Sequence, residues 1–254
     1  MKNHISTARR SAPRFRPIIF CDFDGTITQV DATDQILTQL AHPSWREVEQ
    51  EWTRGLIGSK ECLERQMALV ETTPAELNVL IDALPVDTDF ARFDGFARES
   101  GIPLYILSDG LDHVIRRVLR RAGVRRALRN GSNFYSSALR LVGGRLRISF
   151  PYGSPDCTHG CATCKPALIE RHARGRDPVI YIGDGLSDRY AVERASLIFA
   201  KRQLLAYCRD RGLNCRAFET FGDILEVLPE LIESFEDPAA AESILSKRTV
   251  GVRG

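Results

Sequence analysis

The sequence predicts an α/β fold in which a parallel sheet forms the core and a small helical cap is inserted. Short apolar segments rich in β-branched and aromatic residues are typical of buried strands, and helical segments separate three of them: 17–21, 102–107 and 179–182. Strands that alternate with helices form a parallel sheet that is covered on both faces. A block with helical periodicity lies between the first two strands, so this block is predicted to be an insertion.

The length and composition are those of a globular protein. The chain has 254 residues, of which 43% are hydrophobic and 27% are charged, and its formal net charge is +2. This composition excludes a collagen-like or wholly disordered chain, and the small net charge does not indicate nucleic-acid binding. No apolar run approaches the roughly 18 residues of a transmembrane helix. We therefore expect neither nucleic acid nor a membrane among the partners.

The chain is predicted to consist of four segments: a disordered basic tail (1–16), an α/β core (17–30 and 85–236), a helical cap (31–84) and a C-terminal tail (237–254). The first tail holds five Lys and Arg residues, no acidic residue and no apolar segment, which excludes a secretory signal. A short organellar transit peptide is the other interpretation of this tail. The seven cysteines are an odd number, in a chain long enough to fold without disulfides, which favours reduced thiols and a cytoplasmic location.

The elements follow one another with recognisable turn residues between them. After the first strand, apolar residues at helical spacing, such as Ile36, Leu37 and Leu40, indicate about four helices in the cap. Beyond the cap, the pattern predicts, in order, a helix over 93–100, the second strand, a helix over 111–121, a hairpin turn at 142–145, a helix over 165–172, the third strand, a helix over 187–194, a strand over 197–200 and a helix from 203.

Polar residues follow the three core strands at the point where each strand ends. These residues, with one lysine that begins the helix before the third strand, are Asp22, Asp24, Ser108, Asp109, Lys165, Asp184 and Asp188. Because ligands bind at the carboxyl ends of the strands in an open α/β sheet, we expect them to form one site. Asp22 and Asp24 project to the same side, since side chains alternate along an extended segment.

Carboxylates gathered at one edge of a sheet repel one another unless a cation lies between them. Oxygen ligands select a hard metal ion, so Mg²⁺ is the predicted cofactor. A carboxylate beside Mg²⁺ and the Lys165 ammonium is placed to attack phosphorus, and Gly25 allows a tight turn whose N–H groups face phosphate oxygens. Each residue alone is also typical of a turn or a helix cap. Four such pieces in order along the core favour an active site.

These motifs resemble the four signature motifs of the haloacid dehalogenase superfamily. The matching residues are 22–28 (Asp-Phe-Asp-Gly-Thr-Ile-Thr), Ser108, Lys165 and 183–188 (Gly-Asp-Gly-Leu-Ser-Asp). The resemblance extends over about residues 17–230, and the inserted block is similar to the small cap of the phosphoserine-phosphatase-like branch. It implies a Rossmann-like core and a phosphatase that hydrolyses the monoester of a small phosphorylated metabolite.

The resemblance also implies a role for each residue. Asp22 would be the nucleophile that forms an aspartyl-phosphate, and Asp24 would protonate the leaving alkoxide and later take a proton from water. Phosphate binding would fall to Ser108, to the backbone N–H of Asp109 and to Lys165. Metal binding would fall to Asp22, to Asp24 through its backbone carbonyl, to Asp184 and to Asp188, the last as a ligand or as the support of one.

The substrate implied by the resemblance has several candidates. Within the branch, the chain is most similar to the phosphatases of methionine salvage that act on a methylthiopentenyl phosphate, through residues 21–31, 164–166 and 199–209. Phosphoserine and phosphoethanolamine or phosphocholine phosphatases, and a phosphotransferase on the same scaffold, are the alternatives. Asp31 and Arg65 correspond by position to an acid and an arginine that bind substrate in phosphoserine phosphatases. The other interpretation is that both are solvated helix-surface charges.

Two further patterns allow more than one interpretation. Cys157, Cys161 and Cys164, together with His159, offer ligands for Zn²⁺, but structural zinc sites usually take ligands from two separate segments. A reduced thiol-rich loop and a disulfide are the alternatives. An arginine-rich stretch over 116–129 places a charged face on a helix. Solvation explains this face without nucleic acid, because no aromatic residues are interleaved with the arginines.

Overall fold

The computed structural model describes residues 17–124, 133–173 and 177–236. Within these residues, seven strands form one sheet: β1 (Ile18–Cys21), β2 (Leu104–Leu111), β3 (Phe134–Val142), β4 (Arg145–Ser149), β5 (Val179–Gly183), β6 (Leu197–Ala200) and β7 (Cys215–Ala217). The strand order is β4-β3-β2-β1-β5-β6-β7. All neighbours are parallel except β3 and β4, which form the hairpin expected at Gly143-Gly144.

The strands alternate with helices, so the α/β class predicted from the sequence is confirmed. The helices in the described part of the chain are α1 (Ala32–Leu40), α2 (Trp45–Thr53), α3 (Ser59–Met67), α4 (Pro74–Ala83), α5 (Phe90–Glu99), α6 (Asp112–Arg121), α7 (Lys165–His172), α8 (Arg202–Asp210) and α9 (Phe221–Glu236). The helices α1 to α4 lie between β1 and β2, in the block predicted to be a cap. The division of the chain into a core and a cap stays a prediction.

The sheet is buried on both faces, as expected of a parallel sheet. β1 lies at its centre between β2 and β5, and all four of its residues are buried. Ile19 and Cys21 pack into one apolar cluster, whereas Ile18 and Phe20 pack into the other. This alternation follows from the two-residue period of a strand. Because the first motif directly follows β1, it lies at the carboxyl edge of the sheet, near its centre.

Local sequence signals explain where several helices begin. The carboxylate of Asp31 accepts the N–H of Asp34 and caps α1. Thr73 and Glu76 form a reciprocal capping box at α4, where Pro74 occupies the first helical turn. These two caps fix the first and last helices of the inserted block.

One predicted helix is different in the structure. The segment expected to be helical over 187–194 consists of two short 3₁₀ helices, Leu186–Asp188 and Val192–Arg194. The reason is that the Asp188 carboxylate accepts the N–H groups of Asp184 and Gly185, which closes a tight turn where a regular helix would have to begin.

The arginine-rich stretch is partly engaged within the protein. Arg117 forms an ion pair with Asp82 on α4, and Arg121 donates to backbone carbonyls at the end of the same helix. These arginines hold α6 against α4. Arg125, Arg126 and Arg129 lie outside the described residues, as do both predicted tails, 1–16 and 237–254. Among the residues that the structure describes, no helix is long and apolar enough to cross a membrane.

Candidate active site

The first motif leaves the centre of the sheet in a tight turn. The N–H of Asp22 donates to the Ile182 carbonyl at 2.8 Å, which extends the β1–β5 pairing by one residue. Asp22 is only 4% exposed. Gly25 follows with a φ of +71°, and a Cβ at this position would lie 2.3 Å from Oδ2 of Asp184. Both the backbone conformation and the close approach of Asp184 therefore require glycine here.

Lys165 connects the first and last motifs. It is the first residue of α7 and is 2% exposed, and its ammonium donates to Oδ1 of Asp22 at 2.8 Å and to Oδ1 of Asp188 at 2.6 Å. Burial acts to lower the pKa of Lys165, but the charges of Asp188 and Asp22 outweigh it and raise this pKa well above its usual value. Lys165 therefore bridges two buried carboxylates, which favour its charged form.

Asp188 holds this bridge in place. The Tyr181 hydroxyl donates to Oδ1 of Asp188 at 2.6 Å, and the N–H of Asp184 donates to Oδ2 at 3.2 Å. A Cβ at Gly183 would lie 2.3 Å from the same Oδ2. Because both of its oxygens already accept hydrogen bonds, Asp188 is better suited to orient Lys165 and the turn after β5 than to bind a metal ion directly.

Three of the carboxylates form a group that could hold a metal ion. One oxygen each of Asp22, Asp184 and Asp188 lies within 4.8 Å of the other two. Burial, then the charge of Asp188, raises the pKa of Asp22 well above its usual value and that of Asp184 to about 6. Burial and mutual repulsion therefore disfavour the ionised forms of these carboxyls even with Lys165 beside them. A hard, all-oxygen donor set fits Mg²⁺, whose charge would offset the repulsion.

Asp24 has a different environment from Asp22. Its carboxylate accepts the Ser108 hydroxyl at 3.0 Å and the N–H of Ala32 at 3.2 Å. Burial, followed by the charge of Asp31, raises the pKa of Asp24 to about 8. A Cβ at Gly110 would lie 2.3 Å from Oδ2 of Asp24, so the second motif needs glycine at that position. Asp24 is therefore protonated at neutral pH and can donate a proton.

Asp109 lies in the second motif, but its side chain extends away from Asp24. Its carboxylate accepts the N–H of Thr163 at 2.8 Å and the hydroxyl of Ser59, and its carbonyl accepts the Ser137 hydroxyl at 2.8 Å. The side chain thus connects β2 to the segment before α7 and to the first residue of α3. An acidic residue can occupy position 109 of this motif because its buried carboxylate has hydrogen-bond donors there.

A cavity of about 500 Å³ lies over the carboxylates, between them and the inserted helices. Asp22, Asp24, Asp31 and Asp184 all line it. Arg65 does not: it forms an ion pair with Glu51 at 2.6 Å, and its side chain is 41% exposed. The neighbouring α3 residues that face the cavity are Ser59, Cys62, Leu63 and Gln66. The phase of the helix thus directs Arg65 to solvent, and the structure does not bring it to the site.

Sequence reasoning missed Arg202, at the start of α8. Its guanidinium donates to Oδ2 of Asp184 at 3.1 Å and to the carbonyls of Gly25 and Gln29. Its φ of +51° is unusual for a residue other than glycine, and such strain is concentrated at functional sites. Arg202 follows β6 by two residues, so the same strand-end rule could have identified it.

Other cavity residues of α1 and α2 were missed as well, among them Asp34, Glu49 and Trp52. Burial raises the pKa of both Asp34 and Glu49. No strand-end signal marks these positions, since they reach the site only through the packing of the inserted helices.

The cysteine-rich segment lies beside this site. Cys164 directly precedes α7 and is buried, whereas Cys157 and Cys161 are partly exposed. Among the described residues, the three aspartates form a group of potential ligands with all atoms within 4.8 Å, and the three cysteines do not. The arrangement of these thiols therefore does not support zinc, which is one of the three interpretations of this segment.

Comparisons with known proteins agree with this geometry. The family model for haloacid dehalogenase-like hydrolases matches residues 19–193. The chain is similar to the 2-hydroxy-3-keto-5-methylthiopentenyl-1-phosphate phosphatases of Geobacillus kaustophilus strain HTA426 (33% identity) and Geobacillus thermodenitrificans strain NG80-2 (30%). In each case 84% of this chain and 96% of the relative are covered.

A solved structure with the same fold is a phospho-aspartyl intermediate analogue of phosphoserine phosphatase. It matches with a TM-score of 0.63 and 16% identity, over 84% of this chain and 99% of the other. The match of the family model, the similarity to full-length relatives and the shared fold lead to one conclusion: the chain belongs to the haloacid dehalogenase-like hydrolase family, and it is a phosphatase within that family.

Proposed function

We propose that the protein is a Mg²⁺-dependent phosphatase that hydrolyses a small phosphate monoester through an aspartyl-phosphate on Asp22. The observation that carries this proposal is the arrangement around Lys165. A buried ammonium bonds one oxygen of Asp22 and one of Asp188, and Asp184 lies within 4.8 Å of both carboxylates. Two carboxyl groups with different hydrogen-bond partners, the Lys165 ammonium at Asp22 and the Ser108 hydroxyl at Asp24, then divide the chemistry between them.

In the first step, the Asp22 carboxylate attacks phosphorus, and the bond from phosphorus to the ester oxygen breaks. Asp24, which is protonated because its pKa is about 8, donates its proton to the departing alkoxide. Lys165 holds Asp22 in place and offsets the negative charge that builds up around phosphorus. The Ser108 hydroxyl, already within reach of Asp24, is placed to contact a phosphate oxygen.

In the second step, water attacks the phosphorus of the aspartyl-phosphate, and the bond to the Asp22 oxygen breaks. Asp24 is now a carboxylate and accepts the proton of that water, so both residues return to their initial states. Mg²⁺, held by Asp22, Asp184 and the carbonyl of Asp24, would supply positive charge to the phosphoryl oxygens when bound. Asp188 supports this set through Lys165 and the N–H of Asp184.

The methylthiopentenyl phosphate of methionine salvage is the first substrate candidate. It is supported by the names of the relatives, which share about 30% of their residues with this chain over most of its length. The cavity of about 500 Å³ suits a small metabolite of this kind. We further propose that residues 31–84 act as the cap that encloses the substrate, and that the enzyme works in the cytoplasm.

A specific observation favours a second candidate, an ester that carries an ammonium group, such as phosphoethanolamine or phosphocholine. The part of the cavity formed by α1 and α2 presents Asp31, Asp34 and Glu49 together with the ring of Trp52. Carboxylates and an indole face both attract organic cations. In the same region Arg65 is withdrawn toward Glu51, which leaves Arg202 as the guanidinium among the cavity-lining residues that the structure describes.

A phosphate-release panel tests the proposed function and its substrate together. With Mg²⁺ present, we expect the methylthiopentenyl phosphate to be hydrolysed with the highest kcat/KM among that ester, phosphoserine, phosphoethanolamine and phosphocholine. Removal of Mg²⁺ with a chelator should abolish release, and added Mg²⁺ should restore it. Equal, low rates on all four esters would reject both substrate candidates. Full activity in the chelator would reject the metal-dependent mechanism.

The activity should decrease as the pH rises past about 8. Asp24 is protonated below its pKa of about 8 and ionised above it, and only the protonated form can donate to the alkoxide. The charge of Asp31 is one cause of this high pKa, so Asp31→Asn should move the alkaline limb of kcat/KM to lower pH. The measurement is kcat/KM between pH 6 and about pH 10. An alkaline limb at the same pH in both proteins would contradict the assignment of Asp24 as the acid.

A further inference from the structure

The segment Cys157–Cys164, here called the cysteine loop, attaches the inserted helices to the catalytic core. On one side, the carbonyl of Gly160 accepts the N–H of Lys60 at 3.0 Å, and the N–H of Ala162 donates to Ser59 at 3.0 Å. The contact is so close that a Cβ at Gly58 would lie 2.4 Å from the Gly160 oxygen. The start of α3 therefore rests directly on the backbone of the loop.

On its other side, the cysteine loop continues into the catalytic residues. The N–H of Thr163 donates to Asp109 at 2.8 Å, and Cys164 is the last residue before α7 and Lys165. A change in the conformation of the loop would therefore alter both its contacts with the start of α3 and the backbone that leads to Lys165. The mechanism proposed above makes no use of the thiols of this loop.

Two of these thiols are close together and open to solvent. Cys157 and Cys161 line the same surface cavity of about 360 Å³, and their side chains lie near enough for each to shift the pKa of the other. Cys164 is buried, and its thiol also contacts the sulfur of Cys157. The pair that a small solute can reach is thus Cys157 and Cys161.

The two thiols differ in their readiness to ionise. Burial acts to raise the pKa of Cys157, but backbone N–H groups of Cys161 and His159 donate to its sulfur, and this pKa falls below its usual value. Burial, then the charge of Asp109, raises the pKa of Cys161. A thiolate is the form of cysteine that reacts with oxidants. Cys157 is therefore the nucleophile of the pair, and Cys161 is the partner that keeps its proton.

We propose that Cys157 and Cys161 form a reversible disulfide in the presence of a hydroperoxide, and that this bond regulates the enzyme. The Cys157 thiolate attacks one peroxide oxygen, the O–O bond breaks, and a sulfenic acid and hydroxide (or alkoxide) result. The Cys161 sulfur then attacks the sulfenic sulfur, the S–O bond breaks, and water leaves with the proton of Cys161. The two thiols lose two electrons and the peroxide gains them. Transient disulfides of this kind are the form expected in a reducing compartment.

The new bond would close a ring that contains Gly160. Because Gly160 accepts the N–H of Lys60 and has a φ of +62°, its position depends on the conformation of the whole loop. We expect the closed ring to displace this carbonyl, and thereby to weaken the contact that holds the start of α3 beside the substrate cavity. The regulatory effect rests on the proposed function, whereas formation of the disulfide does not.

Peroxide treatment of the full-length protein tests the inference. We expect peptide mass mapping to find a Cys157–Cys161 disulfide. We also expect kcat/KM to fall on the order of tenfold to hundredfold, mainly because KM rises. Dithiothreitol should reverse both changes. The activity of Cys157→Ser should not fall in peroxide. The double variant Cys161→Ser/Cys164→Ser, which lacks both thiols beside Cys157, should stop at a sulfenic acid that dimedone traps on Cys157.

Cys208 and Cys215 provide the matched control, because their thiols also lie near enough to shift each other's pKa but are outside the cysteine loop. Cys215→Ser should respond to peroxide as the parent protein does. If peroxide lowers the activity of Cys157→Ser as much as that of the parent protein, the inference is wrong. Zinc bound stoichiometrically to the thiols of the cysteine loop in the purified protein would also overturn it. Asp22→Asn should form the same disulfide, so failure of the phosphatase mechanism can be told apart from failure of this inference.

Discussion

Replacing Asp22 with asparagine should abolish phosphate release and leave the fold intact. An amide of nearly the same size preserves the packing at a position that is 4% exposed, but it cannot form an acyl phosphate. We expect kcat to fall by at least about 10⁴-fold, the range seen when a covalent nucleophile is removed. The measurement is phosphate release at saturating substrate and Mg²⁺.

The stability of this variant should change little, and that is the control. The substitution removes a carboxyl group whose pKa is raised well above its usual value, first by burial and then by the charge of Asp188. Lys165 keeps its second partner, Asp188, at 2.6 Å. A thermal unfolding curve close to that of the parent would show that the loss of activity is chemical. Turnover that survives in the variant, with deamidation excluded by mass, would disprove nucleophilic attack by Asp22.

The core was predictable where each strand is a continuous apolar run. β1 and β5 are such runs, and they lie side by side at the centre of the sheet, as expected of strands buried on both faces. The helix expected to begin at Lys165 does begin there, because Pro166 suits the first turn of a helix. In these segments, local sequence and tertiary packing favour the same structure.

The last elements of the core could not be predicted on the same grounds. β7 has only three residues, Cys215–Ala217, which is too short for a two-residue period to be recognised. α9 contains Pro229, a residue that normally indicates the end of a helix. Both elements form because the edge of β6 and the apolar surface near α5 are available to them. That information lies in the rest of the fold.

The site was predictable to the extent that strand ends determine it. Asp22, Asp24 and Asp184 each follow a strand, so the topology of the sheet alone brings them to one edge. The residues contributed by the inserted helices depend instead on the rotation of each helix about its axis. Arg65 and Gln66 are neighbours on α3, yet Gln66 faces the cavity and Arg65 faces Glu51. A correspondence by position could not decide between the two directions.

Replacing Lys165 with methionine should impair both activity and stability. Methionine has a similar length but no charge, so the buried carboxylates of Asp22 and Asp188 would lose the ammonium that joins them. We expect a loss of about 10²–10³-fold in kcat, typical of removing one group that stabilises charge in the transition state. Breaking a buried ion pair by removing one partner costs about 3–5 kcal/mol in the free energy of unfolding.

The pH dependence of this loss distinguishes an electrostatic cause from a packing defect. The pKa of Asp22 is already raised by burial and by Asp188, and removal of the ammonium, which lowers it, will raise it further. A carboxyl whose pKa is higher in the folded state is destabilising when ionised, and the penalty disappears as the pH falls and the group takes up a proton. The stability deficit of Lys165→Met should therefore shrink between about pH 8 and about pH 5 in urea unfolding without added Mg²⁺. Lys165→Arg, which keeps the charge, should show a smaller deficit at the higher pH. A deficit in Lys165→Met that is the same at both pH values would mean that Lys165 acts through its packing, and the electrostatic role assigned to it would be wrong.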